Sequence, residues 1–247
     1  KNADESLKAD REIVLAAVRN YPGALMYASD KLKADREIVL VAIEEWDEDS
    51  GNPLHYASKD LQADREFILK AIRKSNGLVF SSASNDLRSD REFVLTAIKE
   101  SGYAFRFADK NLRSDREVVL ATVKRCGSAL KYADDKYKTD REIVLAAVKS
   151  CCYAFDYADE KFKLDKKVLL ESIKNNSHAL EFASEDLKAD REFILEAVKS
   201  NGSALEHVDE QFKSDQEVVI AAVQEVSWAY EHADKVLINE LEKKGLI

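Results

Sequence analysis

The sequence of 247 residues has few residues that break or cross-link a chain: seven glycines, two prolines and three cysteines. So few turn-forming residues exclude an all-β protein built from many short strands. A run of about 18 apolar residues, which a membrane-spanning helix needs, is also missing. The cysteines are odd in number and too few for a disulfide framework. We therefore expect reduced thiols and a cytoplasmic location.

A basic surface is missing as well. The 38 basic and 47 acidic residues give a net charge of −9, whereas a protein that binds nucleic acid needs a cationic face. The acidic excess is uneven, because residues 1–125 carry 21 basic and 22 acidic side chains and residues 126–247 carry 17 and 25. One interpretation is a solvated surface that keeps the protein in solution; the other is a second half that attracts a basic segment. Neither nucleic acid nor a membrane is expected as a partner.

The sequence does contain an internal repeat. The triplet Asp-Arg-Glu occurs seven times, and Asp165-Lys166-Lys167 and Asp215-Gln216-Glu217 complete the series. Successive triplets begin 25 to 29 residues apart, most of them 25, which is the signature of a tandem array. The repeats start at Asp10, Asp35, Asp64, Asp90, Asp115, Asp140, Asp165, Asp190 and Asp215.

Each repeat predicts two helices. Apolar residues such as Ile13-Val14-Leu15 follow the aspartate and cover most of a first helix, and a second, shorter helix carries apolar residues three positions apart. One such pair cannot enclose a core, so the pairs should stack on one another. The sequence predicts a single α-solenoid domain over residues 1–247, with about nine two-helix repeats and a longer C-terminal helix from Ser227 to Gly245. Its first residues match the tail of a repeat, from which we expect a fragment of a longer protein.

These repeats resemble a known family. Residues 187–205 read LKADREFILEAVKSNGSAL, which is similar to the signature L-K-x-D-R-E-x-V-L-x-A-V-K-x-x-G-x-A-L-x-Y-A. That signature belongs to a tandem helical repeat of bacteria and protists that is catalogued as a domain of unknown function. The resemblance covers essentially the whole chain and implies an all-α repeat fold, but it transfers no catalytic residue. Its members often come from intracellular bacteria and accompany host-directed proteins, which implies the host cytosol as an alternative location for a secreted effector.

The charged triplet has two interpretations. In the first, the aspartates are structural N-caps, and each arginine bridges to an acidic residue of the neighbouring repeat. In the second, the row of arginines holds an anion or a small ligand. Positions that vary between repeats indicate where a partner could bind, because packing does not fix them. The residue before the aromatic of the second helix forms such a stripe, to which Trp46 adds a further contact: Arg106, Lys131, Asp156, Glu181, Glu206 and Glu231.

Metal sites are weakly indicated. His207 and His232 occupy a position that is aromatic in most repeats, so packing is favoured over a metal or pH-sensitive pair. Asp47 and Asp49 are spaced like the start of a calcium loop, but the glycine and the glutamate of such a loop are misplaced, and an acidic turn is favoured. Nucleophile motifs, phosphate loops and zinc helices are missing. The sequence thus predicts no catalytic residue, no cofactor and no metal.

The function that the sequence favours is that of a non-catalytic, monomeric module for protein interaction or scaffolding, with a protein or peptide as partner. One alternative is a structural spacer that positions another domain of a larger protein. The other is an anion or small-ligand binder that uses the arginines.

Overall fold

The computed structural model describes residues 4–47 and 51–247. Both ranges are helical and contain no strand, which confirms the predicted all-α repeat architecture. The chain divides into two compact units, residues 1–125 and 126–247, built from the same repeat. That they form one domain stays a prediction. None of the helices in the described ranges has both the length and the apolar character that crossing a bilayer requires.

Each repeat consists of three helical elements, so the predicted two-helix repeat is wrong in this respect. The long α-helices span Arg11–Asn20, Arg36–Glu44, Arg65–Lys74, Arg91–Glu100, Arg116–Arg125, Arg141–Ser150, Lys166–Ile173, Arg191–Ser200 and Gln216–Glu225. The 3₁₀-helices that follow them span Pro22–Tyr27, Pro53–Tyr56, Leu78–Ser82, Gly102–Phe107, Gly127–Tyr132, Cys152–Tyr157, Ser177–Phe182, Gly202–His207 and Ser227–His232. The short helices span Glu5–Lys8, Asp30–Lys33, Lys59–Ala63, Asn85–Ser89, Lys110–Arg113, Asp135–Lys138, Glu160–Lys163, Glu185–Lys188 and Glu210–Lys213.

The long helix supplies most of the core of each repeat. In Arg191–Ser200, the side chains of Phe193, Ile194, Ala197 and Val198 are buried, and their spacing places them on one face. The opposite face carries the charged residues. The helix is only ten residues long, too short to be stable alone in water, so its stability comes from packing against its neighbours.

The second element is a 3₁₀-helix, and buried residues three positions apart fit its geometry. Gly127 and Leu130 are buried in Gly127–Tyr132 and Ala133 directly after it, and residues three apart lie on one side of a helix with three residues per turn. Ala129 is buried as well. Six residues are long for this geometry, which is rarely sustained beyond three or four residues, so packing against the neighbouring repeats must support it. The same spacing of three in the sequence predicts a second, shorter helix, and the structure gives its type as 3₁₀.

The short helix joins each repeat to the one before it through the backbone. The residue that precedes it is Ser or Asp, and in most repeats its N–H donates to a carbonyl in the last turn of the preceding short helix. Such bonds are Ser29 to Lys8, Ser58 to Lys33, Ser84 to Gln62, Asp109 to Arg88, Asp159 to Lys138, Ser184 to Lys163 and Asp234 to Lys213, all 2.8–3.0 Å long. Each bond satisfies a helix-end carbonyl that would otherwise lack a partner. Because the bond joins one defined residue of each repeat, it also fixes the register of the two neighbours.

Within each unit, like elements of successive repeats pack against each other. The long helices Arg11–Asn20 and Arg36–Glu44 are in contact, as are Lys166–Ile173 and Arg191–Ser200. The 3₁₀-helices pack in the same way, for example Ser177–Phe182 on Gly202–His207. The repeats of a unit therefore share one continuous core, as the tandem pattern predicts.

The C-terminal helix is shorter than predicted. Ser227–His232 is a 3₁₀-helix, and the α-helix begins only at Lys235, after Asp234 has accepted hydrogen bonds from the N–H groups of Val236 and Leu237. It then continues to Lys243, nine residues in place of the four or five found at this point in other repeats. The expected longer C-terminal helix is thus present, but it begins eight residues later than Ser227, because the 3₁₀ geometry of the repeat persists to its last copy.

The small residue after the long helix is required by close packing. A Cβ atom on Gly127 would lie 2.1 Å from the carbonyl oxygen of Ala147 in the next long helix. We expect Gly127→Ala to lower the free energy of unfolding by about 1–3 kcal/mol, because the backbone must move to relieve the overlap. Urea denaturation followed by circular dichroism measures this loss. The control Ser128→Ala should change stability by less than about 0.5 kcal/mol, and equal effects of the two variants would contradict the packing argument.

Candidate functional site

All nine aspartates of the triplets stand at the N-termini of long helices. In each, a carboxylate oxygen accepts a hydrogen bond from a backbone N–H in the first turn, as Asp215 does from Glu217 and Val218. The same arrangement is present at Asp10, Asp35, Asp64, Asp90, Asp115, Asp140, Asp165 and Asp190. Such a cap satisfies N–H groups that the helix cannot pair and contributes about 0.5–2 kcal/mol.

The second carboxylate oxygen of these aspartates binds the cation of the preceding repeat. Arg191 donates to Asp215 Oδ2 at 2.7 Å and to Glu217 at 2.9 Å. Corresponding pairs in the two units are Arg11–Asp35, Arg36–Asp64, Arg65–Asp90, Arg91–Asp115, Arg141–Asp165 and Lys166–Asp190. The Arg191 guanidinium lowers the pKa of Asp215 below its usual value. One aspartate thus caps its own helix and holds the repeat before it.

This pairing bears on the two interpretations of the triplet. The described guanidinium groups of these pairs already contact one or two carboxylates, as Arg11 does with Asp35 and Glu37. An anion that entered the row would compete with those carboxylates and would meet their negative charge. The geometry is that of a link between repeats.

The variable stripe lies on the outside of the 3₁₀-helices. Arg106, Lys131, Asp156, Glu181, Glu206 and Glu231 are all exposed, and so are Met26, His55 and Ser81 at the equivalent positions. The residue just before each of them is buried in eight repeats, from Leu25 to Leu205. Packing therefore fixes one position of the helix and leaves the next one free to vary.

Exposed aromatic side chains accompany the stripe. Tyr103, Tyr153 and Trp228 each precede a stripe residue by three positions, and between 46% and 54% of their surface is exposed. Residues three apart are aligned along a 3₁₀-helix, so each ring lies next to a charged group. These rings were not predicted from the sequence, although their fixed distance from the stripe is visible in it. Aromatic rings beside charges are typical of protein-binding surfaces.

Trp46 lies apart from the acidic part of the stripe, in the unit of residues 1–125. Together with Ser81 and Arg106 it lines a surface cleft of about 240 Å³. Its indole Nε1 is buried without a hydrogen-bond partner among the described residues. Of the two aspartates that are spaced like the start of a calcium loop, Asp47 is described and exposed, whereas Asp49 lies outside the described residues.

The structure places His207 against His178 and not against His232, the partner that the sequence offers as the alternative to packing. The ring centroids of His178 and His207 lie 4.3 Å apart, and Glu181 Oε1 lies 3.0 Å from His207 Nδ1. His232 instead faces Glu206, at 4.0 Å. Ligand atoms of His178, Glu181 and His207 all lie within 4.8 Å of one another, so these three residues could hold a metal ion. A comparison of equivalent positions cannot find His178, because His178 and His207 stand at different positions of neighbouring repeats.

Nine overlapping stretches of the chain match one family model, that of the Domain of unknown function (DUF4116). They are residues 1–33, 10–62, 35–88, 64–113, 90–138, 115–163, 140–188, 165–213 and 190–238. These matches follow the period of the triplet and confirm the tandem repeat. No curated protein and no solved structure matches the chain.

Proposed function

The chain belongs to the family described as Domain of unknown function (DUF4116), and on that premise we propose that its repeats form a non-catalytic module that binds a protein or peptide along the exposed 3₁₀-helices. The observation that carries this proposal is the contrast between two adjacent positions. One is buried and apolar in repeat after repeat, and the next is exposed and differs in size and charge. Variation that packing does not require is what a recognition surface needs.

The unit of residues 126–247 favours a basic partner. Its stripe carries Asp156, Glu181, Glu206 and Glu231 against a single cation, Lys131. Tyr153 and Trp228 add exposed rings, over which the cations of a Lys- or Arg-rich peptide can stack. Complementary charge of this kind speeds association and selects the partner.

Recognition fits this surface better than catalysis does. Catalytic acids and bases are usually gathered in one pocket from which water is excluded. The acidic side chains of the stripe instead stand one per repeat in contact with solvent. We therefore infer a binding protein that acts as a monomer on a protein or peptide.

We also infer that the protein works in a reducing compartment, the cytoplasm or the cytosol of a host. All three cysteines are free thiols, and Cys152 is buried. Burial raises the pKa of the Cys152 thiol, so the reactive thiolate is disfavoured. Such cysteines serve as small apolar residues.

The decisive experiment measures binding of synthetic Lys- and Arg-rich peptides by fluorescence anisotropy, with acidic peptides of equal length for comparison. The basic peptides should bind, and more weakly as salt is added. The variant Tyr153→Ala, Asp156→Asn, Trp228→Ala, Glu231→Gln should bind at least about tenfold more weakly, because it removes two rings and two charges from the surface. It leaves Glu181 and Glu206 in place.

A matched control changes two carboxylates and two exposed apolar residues away from the stripe: Leu164→Ala, Glu196→Gln, Glu225→Gln and Val236→Ala. Its affinity should equal that of the unaltered protein. Equal losses of peptide affinity in the two variants would show that overall charge, and not the stripe, determines binding. Failure of every peptide to bind would contradict the proposal and leave the structural spacer as the better interpretation.

A further inference from the structure

The cluster of His178, Glu181 and His207 has the composition of a metal site. His178 and Glu181 are three residues apart on the 3₁₀-helix Ser177–Phe182, and this spacing brings both side chains to the same side of the helix. His207 comes from the 3₁₀-helix Gly202–His207 of the next repeat and contacts both of them. Imidazole nitrogens and a carboxylate oxygen are the donor atoms that Zn²⁺ and related ions prefer.

The surroundings of His207 resemble the outer shell of a metal ligand. Its Nδ1 faces Glu181 at 3.0 Å, and its Nε2 lies 3.3 Å from Ser177 Oγ and 4.0 Å from a Glu206 oxygen. A histidine that binds metal through one nitrogen usually donates the other N–H to a hydroxyl or carboxylate, which fixes the ring. Here Ser177 and Glu206 can orient His207 with Nδ1 directed at the cluster.

The protonation state of His207 suits a ligand. Only 5% of its side chain is exposed. Burial, with a smaller contribution from His178, lowers the pKa of His207 below its usual value and favours the neutral imidazole that metals require. Glu181 and Glu206 supply negative charge on either side of the ring, which would attract a cation.

Packing alone does not require the combination of two histidines and a glutamate at these positions. In the preceding repeat, the positions of His178, Glu181 and His207 are taken by Tyr153, Asp156 and Phe182. In the following repeat they are Ser203, Glu206 and His232. A serine or a tyrosine thus serves equally well at the first position, and a phenylalanine at the third. The complete set occurs once in the chain, at one junction between two repeats.

We propose that His178, Glu181 and His207 bind one divalent transition-metal ion of the zinc class between two adjacent repeats. Zinc ligands lie about 2.0–2.2 Å from the ion, so the three atoms would draw together on binding. Glu181 can turn inward, since 53% of its side chain is exposed. Three protein ligands leave a position for water or for a side chain of the partner. The ion would cross-link two repeats that are otherwise held by packing, hydrogen bonds and the ion pair of Lys166 with Asp190.

The test is titration of the full chain with zinc sulfate, followed by isothermal calorimetry. We expect one ion per chain. His178→Ser and Glu181→Gln should each weaken binding by more than about 100-fold, and Ser177→Ala, which removes only the outer contact, by roughly 10- to 100-fold. Substitution with Co²⁺ adds a visible absorption spectrum that reports nitrogen and oxygen ligands around the metal and should vanish in His178→Ser.

These ligand variants should fold like the unaltered protein. His178→Ser and a third ligand variant, His207→Phe, introduce residues that neighbouring repeats already carry at these positions. His232→Phe is the matched control and should leave zinc affinity unchanged, because His232 is outside the cluster. Absence of saturable binding would overturn the proposal, as would binding that survives His178→Ser, Glu181→Gln and His207→Phe. Neither result depends on peptide binding, because the peptide-binding variants retain all three ligands.

Discussion

Replacing Phe155 by alanine is expected to lower the free energy of unfolding by about 3–5 kcal/mol. The Phe155 ring is fully buried in its 3₁₀-helix and stacks on Phe182 of the next repeat, with 5.5 Å between the ring centroids. The substitution therefore leaves a cavity at the junction of two repeats and removes an aromatic pair. Thermal unfolding should shift down by roughly 6–20 °C for a chain of this size.

Tyr153 provides the matched control, since it lies on the same helix and 54% of its surface is exposed. Tyr153→Ala should lower stability by far less, although it removes an edge contact with Phe182. The two variants should also separate stability from recognition: Phe155→Ala unfolds at lower urea, whereas Tyr153→Ala weakens peptide binding. Equal destabilisation by the two variants would contradict the assignment of one residue to the core and the other to the surface.

Acidification is the second change with a large expected effect. The cation of the preceding repeat is the main reason why the pKa values of Asp90, Asp190 and Asp215 lie below the usual one. The folded protein therefore binds fewer protons than the unfolded chain near pH 4. Its stability is complete above the ordinary aspartate pKa and is lost as the pH falls through the lowered values. Between pH 7 and pH 3 we expect the unfolding temperature to fall by about 10 °C or more.

The variant Asp190→Asn, Asp215→Asn isolates this effect. Asparagine can cap a helix but does not titrate, so the variant should be less stable than the unaltered protein at pH 7 and should lose less stability on acidification. Glu196→Gln with Glu225→Gln removes the same number of carboxylates from exposed positions and should keep the original pH dependence. Identical pH profiles for the two double variants would show that the caps do not govern acid stability.

The long helices could be predicted from the sequence because their signals are local. An aspartate followed by apolar residues at helical spacing indicates where a helix such as Arg191–Ser200 begins and which face it buries. The 3₁₀-helices were harder to predict from the sequence. A segment such as Ala129–Leu130 is compatible with either helix type, and contacts between repeats, such as the close approach of Gly127 to the next long helix, are not visible in the local spacing.

The candidate sites could be predicted only in part. Exposure of the stripe follows from its variability within the repeat, so positions such as Glu206 were identified correctly as surface residues. The histidine cluster depends instead on how two neighbouring repeats are offset, since His178 meets a residue 29 positions later in the chain. A distance of one repeat plus about one helical turn is the signal that would have found it.

The link formed by Arg191 and Asp215 has a consequence for how such arrays can change in length. Every internal repeat of a unit presents a cation towards one neighbour and a capping aspartate towards the other. A copy that is duplicated or excised in frame meets the same chemistry at both new junctions, and Lys166 shows that even the type of cation can differ. Unequal recombination can therefore alter the number of repeats without creating a mismatched junction between them. Each such event adds or removes one surface position that packing does not constrain.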